Sequence, residues 1–259
     1  MIGVSIVIVN YNGQADLERC LESLHAGAVR TAHEIIVVDN GSSDGSLATV
    51  ARWADVRVIE NRANLGFARA SNAGMRASRG KTLLLLNNDT IVPPGAIDRL
   101  LAVLEARPEV AVAGPRLVDA SGRAELSFGR MIGPLAEFRQ KRLQQSPVVE
   151  ELTRREQSPD WVSGACLLVR RADAEAVGLL DEWFFMYTED VDFCASIRAR
   201  GRKILFTPDV EIVHLRGRSA AAAPKATADA YRRSRIAFYQ KHHPAWVPVL
   251  KLYLNLRRQ

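Results

Sequence analysis

Residues 4–46 read VSIVIVNYNGQADLERCLESLHAGAVRTAHEIIVVDNGSSDGS, and this stretch decides the fold. Residues 4–10 and 34–39 are β-branched apolar runs that end in polar residues, the pattern of strands covered on both faces. Between them Leu17, Cys20, Leu21 and Leu24 recur at helical spacing and stop at Gly27. The product is one βαβ unit. The alternation continues with a helix near 43–52, a strand at 56–60, a helix at 66–78 and a strand at 82–88. Short connections between alternating strands and helices predict an α/β chain with a Rossmann-like, mostly parallel central sheet flanked by helices. Ligands of such sheets sit beyond the carboxyl ends of the strands. The polar clusters at 10–13, 39–45 and 87–90 fall there.

Past Val92 the pattern loosens. A helix is expected at 94–106 with its prolines in the first turn, a strand at 110–114, and no assignment for 116–159, where residues 128–146 are read as a mobile segment over the site. Order returns with 161–170, helices near 172–177 and 190–201, and two strands at 203–206 and 210–214.

The 259 residues, 47% hydrophobic, suit one large α/β domain. No apolar run approaches the roughly 18 to 20 residues of a membrane span, and the start lacks a basic segment followed by a cleavage site. A cytoplasmic protein is expected, with peripheral attachment to the inner face of the cell membrane as an option. Cys20, Cys166 and Cys194 are far apart and form no C-x-x-C, which argues against a zinc knuckle or a disulfide framework. Net charge is +6, concentrated in residues 215–259, where ten Lys/Arg face the single acid Asp229. No nucleic-acid recognition motif accompanies that charge, and no G-x-G-x-x-G follows the first strand, which disfavours a dinucleotide oxidoreductase.

Four groups of residues could carry chemistry. Asp39 at a strand end can accept a hydrogen bond from a pyrimidine imide, or serve with Ser43 as a turn and cap residue. Asp89 leaves the buried run LLLL, where a hard oxygen ligand for Mg²⁺ or Mn²⁺ would stand; Asn-Asp before Pro-Pro is also an ordinary turn. Glu189 and Asp190 follow the aromatic run WFFMY and open a helix, either as a base pair of raised pKa or as dipole-compensating acids capped by Thr188, a role that suits Asp192 best. His214 ends a strand, as a structural imidazole or a third metal ligand, while Trp161 with Gly164 and Ala165 offers a sugar platform or core packing.

In order along the chain stand SIVIVNYNG, VVDNGSSDGS, NRANLGFARASNAG, LLLLNNDT, WVSGACLLVRR, LLDEWFFMYTEDVDFCASIRARG and IVHLRGRS. Together they resemble glycosyltransferase family 2, in its rhamnosyltransferase-like branch with the GT-A fold. The resemblance implies a catalytic domain over 1–219, with a nucleotide-binding half at about 1–92 and an acceptor-binding half at about 93–219. It implies donor contacts from Val9, Asn10, Tyr11, Asn12, Asp39, Asn64, Gly66, Asn72 and Asn88, and acceptor contacts from Trp161, Gly164 and Ala165. The metal-binding D-x-D element maps onto Asn87-Asn88-Asp89, where the first acid is replaced by Asn87, so Asp89 and His214 are the implied ligands of Mg²⁺ or Mn²⁺. Asp190, with Glu189 beside it, resembles the base of an inverting transfer.

The implied partners are a nucleoside diphosphate sugar, with dTDP-rhamnose favoured and a UDP-hexose as runner-up, and a glycan or polyprenyl-linked saccharide acceptor. Residues 220–259 are expected to form a basic amphipathic helical tail, two helices parted near Pro244, that meets a membrane, the protein body or a second subunit. Two rival readings are a nucleotide-sugar-binding subunit without turnover and a membrane-surface scaffold.

Overall fold

The computed structural model describes residues 2–27, 29–133, 143, 148–215 and 224–256. The expected boundary at 219/220, and the 216–219 segment of the last family motif, lie outside these residues.

The first half is the predicted alternation. Strand β1 (Val4–Asn10), helix α1 (Gln14–Ala26), strand β2 (His33–Asp39), helix α2 (Ser46–Val50), strand β3 (Val56–Glu60), helix α3 (Phe67–Ala77) and strand β4 (Thr82–Asn87) follow in order. β1 lies parallel between β2 and β4, and β3 extends the sheet beyond β2. Along β1, Ile6 and Ile8 enter one apolar cluster with Leu17, Leu21 and Leu100, while Val7 enters another with Met75, Leu83 and Leu85. Successive side chains point to opposite faces, so a strand that is apolar at every position must be covered on both.

The second half departs from the parallel pattern. After β5 (Thr90–Ile91) and α4 (Ala96–Glu105) come β6 (Val110–Val118), β7 (Ala124–Glu125), β8 (Phe128–Gly129), α5 (Val148–Leu152), β9 (Trp161–Val162), β10 (Cys166–Arg170), α6 (Arg171–Ala176), α7 (Glu189–Ala199) and β11 (Lys203–His214). The main sheet runs β3-β2-β1-β4-β10-β6-β11-β5, with β7 on β6, and β8 pairs separately with β9. β10 is antiparallel to both β4 and β6, and β11 is parallel to β6. The architecture is the expected GT-A fold, a mostly parallel mixed sheet between helices.

Three local expectations need correction. The two strands at 203–214 are one strand, interrupted by a register shift between Thr207 and Glu211, where Pro208 has no N–H for the ladder. Pro93 and Pro94 precede α4 rather than entering it, because Gly95 in the left-handed region turns the chain into the helix. Phe128 opens no mobile segment: it is buried, 4.2 Å from the Phe206 ring, while 134–142 and 144–147 lie outside the described residues.

At the C-terminal end α8 (Pro224–His242), a 3-10 turn (Pro244–Trp246) and α9 (Val247–Leu256) pack on the body. Phe238, Tyr239 and Ala237 of α8 form an apolar cluster with Phe184, Val191 and Leu250. Asp192, 2% exposed, holds the helix from below, 2.9 Å from Lys241 Nζ and 2.6 Å from His242 Nε2. It is therefore an anchor for α8 in addition to an acid of the first turn of α7. No helix among the described residues is long and apolar enough to cross a membrane.

Asp192→Ala should lower unfolding free energy by about 1–3 kcal/mol, since Lys241 and His242 lose a buried acceptor. Urea denaturation followed by circular dichroism checks this, and an unchanged midpoint would remove the anchoring role.

Candidate active site

The sheet register brings the polar strand ends to one edge. Asn10 lies opposite Asp39, Val9 opposite Asn87, and Leu86 opposite Cys166, so the ends of β1, β2 and β4 meet the start of β10. His214 pairs with Thr90, one residue past Asp89.

On the β1–β2 side the loops are tied by side-chain amides. Asn10 Nδ2 donates to Asp39 Oδ1 at 3.3 Å and to Ser42 Oγ at 3.2 Å, and its Oδ1 accepts from Asn88 Nδ2 at 2.7 Å. Asp39 also accepts from the Ser42 N–H at 2.9 Å. Each carboxylate oxygen keeps a further lone pair, although the residue is only 3% exposed. Asn12 at φ 50° accepts from the Ser43 N–H, and Tyr11 stands exposed beside it.

Asn40, which the sequence reading passed over, connects the next loop: it donates to Asn64 Oδ1 at 2.9 Å and accepts from Asn61 and from the Leu65 N–H. A Cβ at Gly66 would stand 2.3 Å from the Phe185 carbonyl, so only glycine lets this loop touch the segment leading to α7. Asn72 is fully buried, and its amide bonds to Leu180 and Glu182. It fixes the 180–182 loop and has no surface with which to touch a donor, contrary to the implied contact.

In the centre, His214 is clamped between two carboxylates. Its Nδ1 lies 3.2 Å from Glu125 Oε2 and its Nε2 3.3 Å from Asp89 Oδ1. Burial disfavours the charged ring, but the two carboxylates outweigh it and raise the pKa to about 9. Asp89 Oδ1 is buried and no hydrogen bond is aligned on it. A buried carboxylate oxygen and an imidazole nitrogen 3.3 Å apart suit neighbouring positions around a divalent cation with bonds of about 2.1 Å. Glu125 then holds the far side of the ring, as metal-ligating histidines require. Sequence reading missed Glu125 because it lies in the unassigned 116–159 stretch, and its partner is 89 residues away.

The acid pair opens α7. Asp190 Oδ2 accepts from the Gly164 N–H and Oδ1 from the Val191 N–H, each at 2.8 Å. Burial raises its pKa against these bonds, leaving a carboxylate more basic than usual. The adjacent Ala165 carbonyl accepts from the Asn87 N–H at 2.9 Å, which places the Asp190 support next to the Asn87–Asp89 turn. Gly164 thus serves the acid through its backbone. Glu189 is 6% exposed with Oε2 unpartnered, and burial together with Asp190 pushes its pKa well up. Trp161, its indole N–H bonded to the Arg130 carbonyl, packs between two apolar clusters, and Ala165 is buried.

Just before these acids, Tyr187 and Thr188 both have left-handed backbone, at φ 73° and 66°. Thr188 makes no side-chain cap bond to α7, so the capping alternative does not hold. Two such residues in succession cost on the order of 1–3 kcal/mol each. Ser234 of α8 holds them: its Oγ donates to the Met186 carbonyl at 2.6 Å, and its own carbonyl accepts from Thr188 Oγ1 at 3.4 Å. The three cysteines are all buried, and burial pushes the Cys20 and Cys194 thiols up to about 12. They are inert packing groups.

The family model for glycosyl transferase family 2 matches residues 5–176. An N-acetylglucosaminyl-diphospho-decaprenol L-rhamnosyltransferase of Mycobacterium tuberculosis is 31% identical over 93% of this chain and 85% of that protein. A low-salt glycan biosynthesis hexosyltransferase of Haloferax volcanii is 26% identical over 82% of this chain and 66% of that protein. Among solved structures, a mannosyltransferase of Pyrobaculum calidifontis with GDP-Man and Mn²⁺ superposes with TM-score 0.66 at 19% identity, covering 96% of this chain and 68% of that one. GalNAc-T7 with UDP, GalNAc and Mn²⁺ gives TM-score 0.64 at 19% identity, covering 83% of this chain and 43% of that one.

Because the folded His214 pKa lies above its ordinary 6.5, its stabilising contribution is complete below about pH 6.5 and lost as pH rises through about 9. The metal-free melting temperature should therefore fall across that window, and His214→Asn should flatten the fall. Thermal melts at stepped pH decide it; identical profiles for the two proteins would contradict the clamp.

Proposed function

The chain belongs to glycosyltransferase family 2, and from that premise we propose that it is a metal-dependent, inverting transferase acting on a polyprenyl-linked saccharide. The donor read as best is dTDP-rhamnose, because the mycobacterial relative, 31% identical over 93% of this chain, is named an L-rhamnosyltransferase. That relative's name, with its N-acetylglucosaminyl-diphospho-decaprenol, supports a polyprenyl-linked acceptor. A UDP-hexose is the second donor, since both pyrimidines present the same imide edge to Asp39. Work on a lipid-linked acceptor also suits a protein attached peripherally to the inner face of the membrane.

The observation that carries this reading is the Asp89–His214 pair, 3.3 Å apart, joined to the Asp190 support through Asn87 and Ala165. Asp89 and His214 would hold Mg²⁺ or Mn²⁺, with the other positions left to diphosphate oxygens and water, and Asn87 replaces the carboxylate that would have been a further ligand. The cation supplies charge neutralisation for the departing diphosphate. Both solved neighbours were obtained with Mn²⁺, which agrees with this donor set.

Asp190 takes the proton of the acceptor hydroxyl while that oxygen bonds to the anomeric carbon. On the opposite face the carbon–oxygen bond to the diphosphate breaks, and the nucleoside diphosphate leaves with the electron pair. One displacement inverts the centre. The Gly164 and Val191 N–H groups orient the Asp190 carboxylate, and its raised pKa suits proton capture. Glu189, buried beside Asp190 with its pKa pushed well up, disfavours a second negative charge at this point.

Asp190→Asn should lower transfer from dTDP-rhamnose in the presence of Mn²⁺ by about 10²–10⁴-fold while nucleotide binding persists. Glu189→Gln, which preserves shape and removes the carboxylate that Asp190 and burial already disfavour, should keep most activity. Radiolabel transfer to a polyprenyl diphosphate saccharide with parallel calorimetry separates the alternatives. Donor binding without turnover in the native protein would favour the non-catalytic subunit, and full activity in Asp190→Asn would exclude the base.

A further inference from the structure

The apolar residues of α9 do not share one side. Val247, Leu250 and Leu254 turn toward α8 and join the cluster around Phe238. On the other side Val249, Leu252 and Leu256 are 55%, 62% and 67% exposed. Their i, i+3, i+7 spacing stacks them in one outward stripe. Trp246, also exposed, sits in the turn at the start of the helix, and Tyr253 flanks the stripe. A helix resting on a protein body ordinarily turns charge to water, and one that is apolar all round has something covering it.

The electrostatics of the same segment name the cover. Lys251 is the one charged side chain within 244–256, and residues 224–259 carry eight Lys/Arg against the single acid Asp229, with Lys241 already paired to Asp181 and Asp192. Arg232 reaches across from α8 to the C-terminal end of α9, donating to the Leu254 carbonyl at 2.8 Å and to Asn255 Oδ1 at 2.7 Å. Cationic charge therefore borders the stripe at Lys251 on its flank and at Arg232 on its end. A second copy of this chain seated on the stripe would bring like charges together with no acid within 244–256 to neutralise them. Anionic phospholipid headgroups neutralise them, and the acyl boundary accepts the leucines.

We propose that the outer face of α9, built on Val249, Leu252 and Leu256 with Trp246 at its head, is a docking surface for an anionic lipid bilayer. The lipid contact expected of the 220–259 tail narrows to this one face, because Phe238, Tyr239 and Ala237 of α8 are buried on the body. The assignment deepens the peripheral attachment given above but stands on α9 alone, so its test contains no sugar and its failure leaves the transferase reading intact. α8, which carries α9, also holds Met186 and Thr188 beside the acid pair.

The test is flotation of the full chain with phosphatidylcholine vesicles, with and without roughly one third phosphatidylglycerol, at low and high salt. The native protein should float with anionic vesicles and fall off as salt rises. Leu252→Glu combined with Leu256→Glu changes only exposed positions, so its melting temperature should match the native value while vesicle binding drops by about tenfold or more. Equal flotation of both proteins would overturn the proposal, as would no flotation of the native chain on anionic vesicles. A native dimer in sedimentation equilibrium that the double variant dissociates, without vesicle binding, would assign the face to a second copy instead.

Discussion

The Asn87 N–H to Ala165 carbonyl hydrogen bond joins what would otherwise be two separate pieces of chemistry. On one side of it the chain turns through Asn88 into Asp89, and on the other Gly164 presents its N–H to Asp190. The bond exists because β10 runs antiparallel to β4, which sets the start of one strand beside the end of the other. In a wholly parallel sheet that edge would hold only strand ends, and the acid opening α7 would lack this backbone donor. Reversal of one strand is therefore what lets the Asn87–Asp89 turn and the Asp190 carboxylate share an edge.

Charge around that edge is arranged in opposition. His214, between Glu125 and Asp89, is biased toward its protonated form by the two carboxylates. Burial raises the pKa of both Glu189 and Asp190, but Asp190 has two N–H donors opposing the rise while Glu189 Oε2 has no partner. Local packing therefore separates two carboxylates adjacent in sequence.

Much of this was legible in the residues. Strands covered on both faces are apolar at nearly every position, so the runs at 4–10, 34–39 and 82–87 declared themselves, and the polar residues closing them marked the edge where ligands gather. The lone Asp89 stood out for the same reason, and the Glu189-Asp190 pair because it follows an aromatic run and opens a helix. Less visible was the direction of β10, since five apolar residues look alike whichever way they run. Glu125 and Asn40 were hidden because a hydrogen bond across scores of residues leaves no periodic trace. Asn72 misled for the converse reason: an amide in a motif reads the same whether it faces a ligand or pins a loop.

The left-handed pair Tyr187–Thr188 has a consequence for biosynthesis. Ser234, which bonds to Met186 and Thr188 on either side of Tyr187, is translated 46 residues after Thr188. A nascent chain on the ribosome has made every strand of the main sheet before this partner emerges. Truncation ahead of α8 therefore removes two hydrogen bonds from the turn that leads into Glu189 and Asp190.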